Sequence, residues 1–216
     1  MKKIFTLIFS FVCTVIYAQE IKKQSSFKNF VKENHVNYTD FGGLFGKSYQ
    51  IFYNGSNYGN TVPSRVNFTI QTYNGVKVYK NLSVGATVGV DWFSKYQIVP
   101  ISLGVRVSLG NSKVKKVKTF AGIDAGYGFM WLNEKSNENQ EIDGGLALSP
   151  MIGLLIPTGG NANFILSIGY KRNIYHSKII TGTQEYPNIN ETDYNLNRMA
   201  IRFGVNFQTK TLPIQH

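Results

Sequence analysis

Cysteine is almost missing from this 216-residue chain: it has one, Cys13, inside a stretch that reads as removable. A mature chain without cysteine has no disulfide framework and no thiol or zinc–thiolate site, so hydrogen bonds and packing must hold it together. Long apolar runs are missing too. The run from Ile4 to Ile16 falls far short of the ~20 residues that span a bilayer as a helix and carries Thr6 and Ser10. No Pro-, Ser- or charge-rich linker divides the sequence, which therefore reads as one domain. Between its extended segments no helical periodicity competes.

The first residues are a targeting signal. Met1-Lys2-Lys3 is basic, Ile4 to Ile16 is apolar, and Tyr17-Ala18-Gln19 offers cleavage after Ala18, so 1–18 is a signal peptide. Val12 stands before Cys13 where lipidation needs a small residue, which argues against a lipoprotein. The formal net charge of +11 falls to +9 when Lys2 and Lys3 leave, a balance that raises nucleic-acid binding. Export argues against a nucleic-acid partner, and bases scattered through strands and turns suit anionic lipid head groups better. Residues 19–36 are polar, with Phe27, Phe30 and Val31 at near-helical spacing. A short amphipathic helix and a loose periplasmic lead-in both fit, and the lead-in is the expectation.

Strand periodicity governs the rest. From Tyr96 to Leu109, Val99, Ile101, Leu103, Val105, Val107 and Leu109 occupy every second position, opposite Pro100, Ser102, Gly104, Arg106 and Ser108. The pattern recurs to give eight strands of roughly ten residues between 37 and 208, matching the ~9–11 residues of a tilted transmembrane strand. Connections after strands one, five and seven are long, while those after two, four and six are tight. The short one after strand three is the exception. Strand one begins near Tyr38 and runs on through Tyr49, Ile51 and Tyr53. Asn54 to Pro63, Asn133 to Asp143 and Asn173 to Asp193 read as outer loops, with both termini periplasmic.

A soluble barrel would line its cavity with the aliphatic face and show the polar face to water. Glycine discriminates, in favour of the membrane barrel. Gly85, Gly89, Gly104, Gly122, Gly126, Gly128, Gly153, Gly169 and Gly204 lie on the polar face, where a crowded eight-strand interior needs small residues. Trp92, Tyr96, Tyr127, Phe129 and Trp131 sit near strand ends, where an interfacial girdle belongs. The expected class is all-β, an eight-stranded antiparallel up-and-down transmembrane β-barrel in the bacterial outer membrane, followed by a C-terminal tail over 209–216.

TDFGGLFG, YNGVKVYKNLSVGATVGVDWF, VPISLGVRVSLG, FAGIDAGYGF, GGLALSPMIGLLIP, LSIGYKRN and AIRFGVNF together resemble the small outer-membrane β-barrel proteins common in Gram-negative Bacteroidota, similar in architecture to OmpA-like eight-stranded barrels. The resemblance covers nearly all of the mature chain and implies a fold and a location more than an activity. It departs at the tail QTKTLPIQH, since such barrels often end on the aromatic itself.

Chemistry is sparse. His35, His176 and His216 share no strand face with an acid and a serine, so no catalytic residue is assigned. His176 alone lies where a surface enzyme would work, and it reads as a solvated loop histidine. GIDAGYG and TGGN lack the spacing of dinucleotide and phosphate loops, so no cofactor is expected. Glu134, Glu138, Glu141 and Asp143 lack the ligand spacing of a calcium loop, so no metal is expected. Lys113, Lys115, Lys116 and Lys118 gather at the opposite end, toward inner-leaflet phosphates.

The inward phase places Asp40, Arg106, Asp124 and Arg202 in the lumen, with Asp124 and Arg202 at similar depth and Asp40 and Arg106 lower. Complementary pairing should plug the barrel. The expected role is a non-enzymatic, non-porous outer-membrane protein with a structural, adhesive or interaction role through its outer loops. Its surroundings would be outer-membrane lipids and lipopolysaccharide, with barrel assembly machinery as a partner during biogenesis. An accessory barrel of a secretion or assembly system, an outer-membrane enzyme and a secreted lipid-binding barrel stay open as alternatives.

Overall fold

The computed structural model describes residues 24–46, 48–52, 58–62, 66–93, 96–109, 117–132, 140–158, 160–183 and 186–208. Residues 1–23, with the expected signal peptide, and the expected C-terminal tail over 209–216 lie outside them. Helix α1 spans Gln24–Asn34. The strands are β1 (His35–Phe45), β2 (Ser48–Phe52), β3 (Tyr58–Val62), β4 (Asn67–Tyr79), β5 (Leu82–Trp92), β6 (Gln97–Leu109), β7 (Lys118–Phe129), β8 (Gln140–Asp143), β9 (Gly145–Pro157), β10 (Ala162–Thr183) and β11 (Tyr186–Gln208).

Eight of these strands form a closed antiparallel ring in the order β1-β4-β5-β6-β7-β9-β10-β11. Pairing of β11 with β1, from Val36↔Gln208 to Phe45↔Met199, shuts the ring and removes both sheet edges. The alternation read from the sequence sets the two faces. Leu103 is 76 % exposed and Ile123 46 %, whereas Arg106 and Asp124 are each 2 % exposed. Apolar rows outside and polar rows inside invert the pattern of a soluble barrel.

The two ends of the ring differ. At one, the turn end, β4–β5, β6–β7 and β9–β10 are joined by short connections, and both α1 and the last barrel residue, Gln208, lie there. At the other, β10 and β11 run on as a hairpin of 22 and 23 residues, paired as far as Thr183↔Tyr186. The other six barrel strands have 11 to 13 residues. β8 pairs with β10 over His176 to Ile179, β2 pairs with β11 over Thr192 to Leu196, and β3 pairs with β2. The result is a five-stranded extension, β3-β2-β11-β10-β8, standing beyond the barrel.

This extension corrects the reading of 173–193 as a loop. Along the extension polar residues fall on both faces, Asn173 and Ser177 on one and His176 and Lys178 on the other, so apolar alternation stops although the strands continue. Neighbouring strands on both sides supply the backbone partners. Asn54 to Pro63 and Asn133 to Asp143 likewise contain β3 and β8. Strand one does not run on through 49–53, because it ends at Phe45 and the next residue, Gly46, has φ 145°, a conformation open to glycine. A β-carbon there would also lie 2.6 Å from the Asn197 carbonyl oxygen.

From Gln24 to Asn34 the lead-in is a helix, which corrects the looser expectation. Asn34 Nδ2 donates to the Phe30 carbonyl, 2.9 Å away, and closes the last turn where β1 begins. The short connection after β5 is a tight turn in which the Phe93 N–H donates to the Tyr96 carbonyl at 2.9 Å.

Candidate functional site

Among the described residues, the lumen gathers the buried charges Asp40, Asp91, Arg106, Asp124, Lys171 and Arg202. Glycines on the inward rows make room for them. A β-carbon on Gly122 would lie 2.5 Å from Arg106 Cδ, one on Gly169 would lie 2.9 Å from an Arg202 guanidinium nitrogen, and one on Gly104 would collide with the Asp124 carboxylate. The space these glycines leave is filled by charge.

Among the described residues, three buried ion pairs occupy the interior. Arg106 donates from both terminal nitrogens to the two carboxylate oxygens of Asp124, 2.8 Å each, and Thr87 Oγ1 donates to the same carboxylate at 2.8 Å. The guanidinium also lies 4.5 Å over the Tyr73 ring. Arg202, wholly buried, faces Asp40 across 3.7 Å and donates to Gln71 Oε1 at 3.1 Å. Lys171 Nζ lies 2.6 Å from Asp91 Oδ1, and Thr69 and Asn173 also donate to that carboxylate, at 2.6 and 2.8 Å. Taking such charges out of water is costly, and pairing with extra hydrogen bonds is what compensates.

Asp40, Arg106, Asp124 and Arg202 are all inside, but not partnered by depth as expected. Asp124 binds Arg106, and Arg202 faces Asp40. Both are pairs between ring neighbours, β6–β7 and β11–β1. Opposite Arg106 the register sets Gly122, and opposite Asp124 it sets Gly104, so the long arginine reaches diagonally along the strand to the carboxylate.

The Asp91–Lys171 pair escaped the sequence reading. Asp91 shares the inward phase of Gly85 and Gly89, and Lys171 that of Gly169, and that phase was the available signal. β5 and β10 stand four places apart in the eight-strand ring, so the lysine spans the lumen to reach its acid.

Apolar clusters close the interior on either side of the charges. Toward the turn end Val36, Tyr38, Phe120, Leu155 and Ile165 are buried together. Toward the extension Leu44, Phe93, Ile98, Met130, Tyr175 and Leu196 form the second, with Tyr96 and Tyr194 against it. Tyr96 is thereby corrected from girdle residue to lumen residue: it follows the β5–β6 turn, which directs its ring onto Tyr175, with centroids 4.9 Å apart. Trp92, Tyr127, Phe129 and Trp131 remain on the outer side, Phe129 stacked on Trp131 at 5.0 Å.

On the extension, His176 Nδ1 is 2.5 Å from Asp193 Oδ1, its direct cross-strand partner, with Asp143 opposite on β8. Ser177, next in the chain, is buried on the other face of the strand and does not join the pair. Glu141 pairs in register with Lys178. Glu134, Glu138, Lys113, Lys115, Lys116 and His216 lie outside the described residues.

No family model and no curated protein matches the chain. Among solved structures, the outer membrane protein OprG from Pseudomonas aeruginosa aligns over 81 % of this chain and 95 % of its own, at 10 % identity and a TM-score of 0.58. The fold is that of an outer-membrane β-barrel. The outer membrane protein AlkL, solved in DMPC bilayers, covers 85 % of this chain and 93 % of its own at 10 % identity and a TM-score of 0.48. Neisserial surface protein A covers 81 % and 96 % at 10 % identity and a TM-score of 0.41. At such identity the likeness is one of fold. Apolar outside and charged within, this β-barrel is built to sit in a bilayer.

Proposed function

We propose that the chain is an exported integral outer-membrane protein that presents its five-stranded extension to the outside and does not form an open pore. Both termini face the periplasm, and outer-membrane lipids and lipopolysaccharide surround the belt. Barrel assembly machinery inserts the chain, and no catalysis, cofactor or nucleic acid is involved. The role is structural, adhesive or interactive, through the extension.

The observation that carries this reading is the filled lumen. Three buried charge groups lie between two apolar clusters, so an ion entering would have to break paired charges and part packed side chains. Planar-bilayer recordings of the refolded protein should show no steady conductance steps, and large steady conductance would overturn the reading. Replacing 174–195 by a two-residue turn should leave a heat-modifiable barrel that has lost attachment to cells or surfaces; unchanged attachment would remove the role given to the extension.

A further inference from the structure

Six barrel strands present apolar mid-rows to the outside: Val88 on β5, Leu103 on β6, Ile123 on β7, Ile152 on β9, Ile168 on β10 and Phe203 on β11. β1 and β4 do not. Asn37, Thr39, Thr72 and Asn74 face outward there, Thr39 opposite Thr72 and Asn37 opposite Asn74. The patch is enclosed by apolar neighbours: Phe41 and Ile70 beyond it along the strands, Val205 opposite Thr39, and Val88 opposite Thr72. Thr72 lies below Phe68, which packs on Trp92 of the girdle, by about 10 Å at the usual rise and tilt of a barrel strand. It is therefore within the hydrocarbon, not at its rim.

The four side chains bond to one another. Asn37 Nδ2 donates to Asn74 Oδ1 at 2.8 Å and to Thr72 Oγ1 at 3.1 Å, and Thr39 Oγ1 donates to Asn37 Oδ1 at 3.0 Å. The Thr72 hydroxyl, 3.0 Å from Thr39 Oγ1, can donate to that oxygen. One group is left over. Among the described residues, Nδ2 of the exposed Asn74 makes no hydrogen bond. Lipid tails offer it no acceptor, and a donor left open in hydrocarbon is strongly unfavourable. α1, although it touches β4, leaves Asn74 exposed.

We propose that this β1–β4 face is the interface of a homodimer in the membrane, with the Asn74 amides of two copies bonding reciprocally across a twofold axis. A primary amide carries donor and acceptor side by side, and Asn74 Oδ1 keeps a lone pair after accepting from Asn37. The group is self-complementary, as an isologous interface requires. Ala86, opposite Asn74 on β5, is small enough to let two barrels approach closely. The inference rests on the membrane seating proposed above.

The test uses the full-length protein in membranes, in a Cys13→Ser background. Oxidation of Asn74→Cys should give a band of twice the monomer mass, at least ten-fold stronger than from Ile152→Cys on the opposite side of the ring. Thr72→Val/Asn74→Leu should keep heat-modifiable mobility while its dimer dissociation constant in detergent, measured by sedimentation, rises at least ten-fold. Equal or absent cross-linking in the two cysteine variants, an adduct that is not twice the monomer mass, or an unchanged dimer overturns the interface alone. Recovery of the wild-type protein without detergent overturns the seating and the interface together.

Discussion

Replacing Arg106 by Met tests how the lumen is held. The change keeps most of the side-chain volume but leaves the Asp124 carboxylate, 2 % exposed, with Thr87 as its remaining polar partner. Breaking a buried ion pair from one side costs about 3–5 kcal/mol. Loss of the guanidinium over Tyr73 adds about 0.5–2 kcal/mol, so the single variant should fall by at least ~3 kcal/mol. Arg106→Met/Asp124→Leu removes both charges together. Such replacements are often near neutral, and the main residual is the Thr87 hydroxyl without its acceptor, at about 1–3 kcal/mol. The double variant should therefore be more stable than Arg106→Met. Urea unfolding in lipid vesicles, followed by the fluorescence of Trp92 and Trp131 with heat-modifiable mobility as the check on folding, measures all three proteins. A loss under ~1 kcal/mol for Arg106→Met, or a double variant less stable than the single, would refute the argument that the charges are a mutually dependent pair.

Gly122→Ala should cost ~1–3 kcal/mol by overpacking, because its β-carbon would meet Arg106 Cδ at 2.5 Å, and the penalty should largely disappear in an Arg106→Ala background. The same unfolding assay reads it, and an undiminished penalty would show that something other than the arginine sets the limit. On the outward rows Leu103→Arg should cost about 2–4 kcal/mol in vesicles and Leu109→Arg, next to the β6–β7 turn, about 0–1, so equal losses would remove the depth dependence that a lipid belt requires. Protease added to intact cells should cut within 133–139 and spare 110–116; the opposite pattern would invert the topology, which rests on loop-length asymmetry.

The sequence by itself carried the barrel. Alternation needs only the period of the strand, so the inward phase of Asp40, Arg106, Asp124 and Arg202 could be read residue by residue, and glycine on the polar rows said which face was crowded. Partnership could not be read that way. Arg106 meets Asp124 because strand register sets them diagonally, and Lys171 meets Asp91 because ring closure sets β10 opposite β5. Those relations belong to shear and closure, which no single strand encodes.

The same limit explains the extension and the outward polar patch. Where polar residues occupy both faces of a strand, as at His176, Ser177 and Lys178, the hydrophobic signal vanishes, and neighbouring strands keep the chain extended. Thr39 and Thr72 read as ordinary strand residues until pairing of β1 with β4 brings them together, because adjacency across a sheet is a property of the register and not of either segment.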